Sequence, residues 1–194
     1  MENTIYAKYT KDSVNGMTEY SIESEFTKKR TIFIVGEINN ETLNKFTMTF
    51  LYLLNEKQPI NIYINSTGGD VLAGLAIYDL IQASDCKINI YCLGMAYSIA
   101  AIIFAGCTER YMYNHSKIMI HQPSIGQLKG SASQIEEISN NLLEVKEIID
   151  NIISKHTGQT LEKVKKITEK DSYFNAEEAI NFGLADKIIT NIII

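Results

Sequence analysis

The run Ile60-Asn-Ile-Tyr-Ile64, Asn65-Ser-Thr-Gly-Gly-Asp70 and Val71 to Ala83 reads as strand, glycine turn and helix. Isoleucine and tyrosine fill the first part, two adjacent glycines allow a sharp turn, and a longer apolar stretch follows. The same alternation continues on both sides. Upstream, Arg30-Thr-Ile-Phe-Ile-Val-Gly36 predicts a buried strand. Asn40 is the expected cap of a helix in which Leu43, Phe46, Phe50 and Leu54 recur at helical spacing, and a turn at Gln58-Pro59 follows it. Downstream, Ile88 to Leu93 predicts a third strand, ending at Gly94-Met-Ala-Tyr-Ser98, and Ile99 to about Ala105 a short apolar helix. Strands alternating with helices predict an α/β fold with a largely parallel sheet, in which chemistry gathers at the carboxyl ends of the strands. Gly68-Gly69 and Ser98 then share one rim.

Arg110 to Tyr113 and Lys117 to Ile120 predict two more strands. Ser131 to about His156 predicts one long helix with Ile135, Ile138, Leu142, Val145, Ile149 and Ile152 on one face, closed by Gly158. Two shorter helices, Leu161 to about Thr168 and Ala176 to Asn181, flank Asp171, and a last strand, Ala185 to Ile189, follows Gly183. Residues 1 to about 20 read as a flexible arm or short hairpin broken at Gly16. With 194 residues, two prolines and no low-complexity linker, the chain reads as a single domain over 1–194.

Composition narrows the function. The net charge is −5 and the basic residues are scattered apart from Lys163, Lys165 and Lys166, which argues against nucleic acid as a main partner. The longest apolar run, Ile99 to Gly106, is too short to span a bilayer, and the N-terminus lacks the apolar stretch of a signal peptide. Three cysteines, Cys86, Cys92 and Cys107, lack metal-ligand spacing and fit a reduced, cytoplasmic setting. There is no P-loop and no GxGxxG, so no nucleotide cofactor is expected.

Four positions can carry chemistry. Ser98 follows a strand and opens a helix, so its hydroxyl points to the rim and the next amide, on Ile99, can donate to an oxyanion. The plain alternative makes Ser98 a helix N-cap. Gly68-Gly69 lets the backbone approach a ligand and offers a second amide, although for a lone Gly-Gly an ordinary strand-to-helix turn is the better explanation. His121, directly before Gln122-Pro123, can take a serine proton. His115 lies in a turn, and His156 ends a helix, where it would serve the dipole. An acid is needed to orient the imidazole, and Asp171 competes with Asp79 for that role on position alone.

From about Tyr20 to Ile189 the chain resembles the proteolytic subunit of the Clp ATP-dependent protease. The resemblance runs through Ile64-Asn-Ser-Thr-Gly-Gly-Asp70, Ala73-Gly-Leu-Ala-Ile-Tyr-Asp79, Met119-Ile-His-Gln-Pro123, Lys155-His-Thr-Gly-Gln159, Ala176-Glu-Glu-Ala179 and Gly183-Leu-Ala-Asp186. The family's Gly-x-Ala-x-Ser motif falls on Gly94, Ala96 and Ser98. Its histidine falls on His121, its aspartate on Asp171, and its oxyanion amides on Gly69 and Ile99. The resemblance implies a crotonase-like fold of repeated ββα units with a long handle, here about 124–156. It also implies heptameric rings stacked into a tetradecamer, and an AAA+ unfoldase that spends ATP while this chain binds none. Extended, unfolded protein substrate would add as a strand beside Gly68, Gly69 and Asp70 and along Ser124, Ile125, Gly126 and Gln127.

Departures from the pattern mark a divergent member, a paralogue or a phage-encoded copy. Thr67 replaces a proline, Asp70 puts an acid beside the cleft, and Ile125 stands where a second glycine is frequent. Lys170 replaces an arginine of the ring-to-ring contact and cannot make its two-pronged pairing. Asn61 replaces an aromatic residue of the pocket for the unfoldase loop, while Tyr63 is kept. Three other functions compete with an active peptidase. An inert subunit of mixed rings would be free to lose the triad positions, which are all occupied. A crotonase-type acyl-CoA enzyme needs no serine nucleophile, and a Ser–Lys signal-peptide peptidase would want a lysine base and a membrane anchor.

Overall fold

The computed structural model describes residues 7–13, 16–126 and 129–192; Met1 to Tyr6 of the expected arm and Gln127 of the expected substrate strand lie outside them. Strand β1 (Lys8–Ser13) pairs antiparallel with β2 (Gly16–Ser21), so the hairpin reading of the arm holds over its described part. A short helix, α1 (Ile22–Lys28), follows. Three strand–helix units come next: β3 (Thr31–Ile38) with α2 (Asn40–Leu53), β4 (Ile60–Gly69) with α3 (Val71–Gln82), and β5 (Ile88–Tyr97) with α4 (Ile99–Ala105). Then come β6 (Glu109–Tyr113), β7 (Lys117–Ile120), the long α5 (Ala132–Thr157), α6 (Leu161–Thr168), β8 (Ser172–Phe174), α7 (Ala176–Phe182) and β9 (Lys187–Ile189).

The order β3-β4-β5-β6-β9 is parallel throughout, β7 joins β5 in parallel, and β8 pairs antiparallel with β7. The expected α/β fold with a largely parallel sheet is therefore observed. Each of the strands β3, β4 and β5 is broken in the middle: β3 between Val35 and Glu37, β4 between Ile64 and Ser66, and β5 where it exchanges β6 for β7. A strand, a break, a second strand segment and a helix make up each ββα repeat. The sequence reading ended β4 at Ile64 and β5 at Leu93. Both strands continue, because the break is a shift in register rather than a turn.

The sheet buries one face under α2, α3 and α4. Ile32, Ile34, Ile62, Ile64 and Ile90 pack there with Phe46, Phe50, Ile77 and Ile81, all of them buried. The pleat turns alternate residues to the opposite face. There Phe33, Tyr63, Tyr91 and Tyr111 stack across four neighbouring strands, with ring centroids 5.6, 4.8 and 4.9 Å apart. Helix caps are built locally. Asn39, not Asn40, caps α2, its side chain accepting from the Glu41 and Thr42 amides, because Asn40 is already helical. Ser131 and Gln134 form a capping box on α5, and Gly158 ends it at φ 69°.

Helix α5 buries only its last turns, through Ile149, Asp150 and Ile153. Its upper part leaves Ile135 and Leu143 exposed, so the expected apolar face meets this chain's core along part of its length only. His156 does not act as a cation on the dipole. Burial and the neighbouring Lys155 and Arg110 charges push its pKa down to about 4, and Nε2 bonds the Tyr78 hydroxyl at 2.8 Å. Arg110 gathers the end of α5 and the turn before β9: it bonds the His156 and Gly183 carbonyls and pairs with Asp186. Burial alone would raise the Asp186 pKa; the Arg110 contacts override it and hold the carboxyl below its usual value.

The three cysteines are free. Burial raises the Cys92 thiol to about 12 and Cys107 further still, whereas Cys86 is half-buried. Alkylation of the native protein with iodoacetamide at pH 8 is expected to modify Cys86 alone, with Cys92 and Cys107 reacting only after unfolding. Peptide mapping of the adducts tests this; early modification of Cys107 would contradict the burial. Among the described residues, no helix is long and apolar enough to cross a membrane, and no group of His, Cys, Asp or Glu is placed to hold a metal ion.

Candidate active site

The register of three strands brings Ser98, His121 and Asp171 together. Tyr97 of β5 pairs with Met119 of β7, so Ser98 leaves β5 beside the end of β7. Ile120 of β7 pairs with Ser172 of β8, and one step further along the antiparallel register His121 comes to face Asp171. His121 Nε2 lies 2.8 Å from Ser98 Oγ, and His121 Nδ1 lies 3.2 Å from Asp171 Oδ1. The imidazole is 24% exposed and the carboxylate 59% exposed. Of the two acids left open on position, Asp171 is the one against the imidazole; Asp79 stands exposed on α3.

Ser98 has φ 55° and ψ −125°, a backbone conformation that residues with a side chain rarely adopt. Its amide is held by the Met119 carbonyl at 2.9 Å. It sits at the N-cap position of α4, but its hydroxyl makes no capping bond and turns to His121. The helix-cap alternative is thereby set aside. Helix α4 behind it is wholly buried, and the Ile99 amide, at its first position, has no partner within the helix.

Gly68 rests directly on the serine. A Cβ on it would lie 2.7 Å from the Tyr97 carbonyl oxygen, 2.8 Å from Ser98 Cβ and 3.4 Å from the Ile99 nitrogen. Its amide is taken by the buried Ser66 hydroxyl at 3.1 Å. Gly69, at φ 151°, packs instead on β3, with a would-be Cβ 2.2 Å from the Ile38 carbonyl oxygen. Asp70 does stand at this rim, but its carboxylate caps α3, accepting the Ala73 amide at 2.7 Å. Ser124, Ile125 and Gly126 run on from Pro123 without regular structure, exposed, with Ile125 at 45%.

Several contributors had no signal in the sequence. Asn65 Oδ1 accepts the Met95 amide at 3.1 Å, and a Cβ on Gly94 would lie 2.7 Å from that oxygen, so the glycine of the motif makes room for it. Strand β8, which carries Asp171 into place, is three residues long, too short for a periodic pattern. Tyr173 on it stacks edge-on against Tyr97 at 5.6 Å.

A separate groove of about 580 Å³ on the aromatic face is lined by Phe26, Phe33, Tyr63, Leu93, Tyr113 and Ile189, among others. Tyr63 is shared between this groove and the stacked aromatic row. Asn61 does not line it, and its amide oxygen accepts from the Asn89 side chain at 3.0 Å.

A family model described as Clp protease matches residues 14–192. That span holds every element from β2 to β9 and all three residues of the Ser98–His121–Asp171 row, and it supports a peptidase role. The chain belongs to the Clp protease family.

Proposed function

We propose that the chain is a serine endopeptidase subunit that cleaves unfolded proteins to short peptides. The observation that carries this reading is the continuous row from Ser98 Oγ through His121 to Asp171, with contacts of 2.8 and 3.2 Å. Ser98 Oγ attacks the carbonyl carbon of the scissile peptide while His121 Nε2 takes its proton. Asp171 holds the Nδ1–H tautomer and stabilises the imidazolium. The carbonyl oxygen becomes an oxyanion, received by the Gly69 and Ile99 amides. Collapse of the tetrahedral intermediate transfers the His121 proton to the departing amine and leaves an acyl ester on Ser98. Water, deprotonated by His121, then hydrolyses that ester.

Substrate lies extended between Gly68 to Asp70 and Ser124 to Gly126. The whole chain acts as one peptidase domain, working in the cytoplasm. The exposed upper half of α5, with Ile135 and Leu143, is suited to stacking heptameric rings into a tetradecamer. The apolar groove at Phe33 and Tyr63 is suited to a docking loop of an AAA+ unfoldase. ATP is spent by that partner.

The test is labelling of the purified protein with a fluorophosphonate probe, run beside its sedimentation. Labelling is expected on a ring-sized particle and is expected to vanish in Ser98→Ala, with the assembly unchanged. Labelling retained in Ser98→Ala would remove Ser98 as nucleophile. An assembled but unlabelled wild type would make the chain an inert partner in mixed rings.

A further inference from the structure

Lys146, Asp150 and Thr168 form a polar chain inside the junction of α5 and α6. Asp150 is completely buried, and its carboxylate receives Lys146 Nζ at 2.7 Å on Oδ2 and the Thr168 hydroxyl at 2.9 Å on Oδ1. Thr168 is also completely buried, and its hydroxyl lies 3.0 Å from the Val164 carbonyl. It has one proton to give, and the charged carboxylate is the stronger acceptor. The main-chain carbonyl of Thr168 receives the Gln122 amide at 2.7 Å, and Gln122 Nε2 reaches the Glu169 carbonyl at 3.3 Å. The residue after His121 is thus clamped to the segment that leads, three residues on, to Asp171.

The side chain of Asp171 is more than half exposed, so its place is set by the backbone that carries it. That backbone is held on one side by β8 pairing with β7 and on the other by the Thr168–Gln122 clamp. An apolar contact would join two helices as well as a buried charge does, and without the desolvation cost. The carboxylate instead fixes one rotamer of one threonine, at the point where the two catalytic strands are tied together.

We propose that Asp150 is a positioning residue for the peptidase reaction: through the Thr168 hydroxyl it fixes the Thr168–Gln122 clamp that keeps His121 facing Asp171. The inference rests on the Ser98–His121–Asp171 reading above. It makes the base of the long helix part of the catalytic geometry, although no atom of Asp150 touches substrate.

The experiment compares full-length wild type with Asp150→Ala, Thr168→Val and Thr168→Ser. It measures kcat and KM on a fluorogenic peptide, together with the rate and the final extent of fluorophosphonate labelling of Ser98. Thr168→Val keeps the shape of the side chain and removes only the hydroxyl, so it decides the matter if Asp150→Ala does not fold. Asp150→Ala and Thr168→Val are each expected to lower kcat and the labelling rate by about 10- to 100-fold with KM nearly unchanged. Thr168→Ser is expected to restore both, and the double variant is expected to be no worse than either single one. A loss of activity that comes only from fewer folded, labelled sites, with each remaining site labelled and turning over at the wild-type rate, would make the chain of contacts purely structural and overturn the proposal. Rates within about twofold of wild type would overturn it as well. A wild type without Ser98-dependent labelling would overturn the triad reading and this inference together, whereas labelled wild type with unaffected variants would overturn this inference alone.

Discussion

Asp171→Asn is expected to lower kcat for peptide cleavage by about 10²- to 10³-fold while KM changes little. The carboxylate meets His121 Nδ1 at 3.2 Å and leaves Nε2 free to accept the proton of Ser98 Oγ. An amide in its place can donate to Nδ1, which favours the tautomer with its proton on Nε2, and that tautomer cannot act as base. A fully buried triad acid costs about 10⁴-fold when neutralised in this way. Asp171 is 59% exposed, so water and neighbouring dipoles replace part of its field and the expected loss is smaller. Asp79→Asn, on the exposed side of α3, is expected to change kcat by less than about twofold. Initial rates at several peptide concentrations separate the two variants. A larger loss from Asp79→Asn than from Asp171→Asn would reassign the acid.

Gly68→Ala is expected to damage the site strongly through a single added methyl. Two costs act together. The position has φ 91°, where an alanine costs roughly 1–2 kcal/mol of backbone strain. The new Cβ would also press on the Tyr97 carbonyl oxygen and on Ser98 Cβ at 2.7 and 2.8 Å, both too rigid to yield cheaply. Relief requires β4 to back away from β5, which shifts the nucleophile relative to His121. A displacement of about 1 Å is enough to cost on the order of 10²-fold in rate. Thermal unfolding is expected to fall by several degrees, and fluorophosphonate labelling to slow by about 10²-fold. Normal labelling with normal stability would show that the strands have slack at this point. Gly36→Ala is the control, because it carries similar backbone strain at φ 84° with nothing within 4 Å of its would-be Cβ.

The α/β alternation was legible because each unit carries its own punctuation: β-branched strand, glycine, apolar helix. Ser98 and His121 were legible as single residues at strand ends. That they meet was not legible from spacing, because 23 positions of chain separate them and the contact depends on how β5 exchanges β6 for β7. Asp171 needed the three-residue β8, which leaves no periodic trace. Asn39 and Asn40 could not be told apart, since two adjacent asparagines offer the same capping chemistry and only the backbone decides which is extended. His156 misled for a related reason. A histidine in a last helical turn suggests a cation, but here tertiary burial against Tyr78 keeps it neutral. Asp150 went unnoticed because an acid within a helix rich in Glu and Lys looks like solvated surface. Only its complete burial distinguishes it.

The stacked rings of Phe33, Tyr63, Tyr91 and Tyr111 have an optical consequence. The chain holds no tryptophan, so its near-ultraviolet dichroism comes from tyrosine and phenylalanine and its intrinsic emission chiefly from tyrosine. Rings held 4.8 and 4.9 Å apart, within 21° and 9° of parallel, couple their transitions and give a signed signal that free tyrosine lacks. The row lies beside the apolar groove, with Phe33 and Tyr63 shared between them. The protein therefore carries a built-in chromophore on that face, and whatever fills the groove can be followed in solution by its spectrum without attaching a dye.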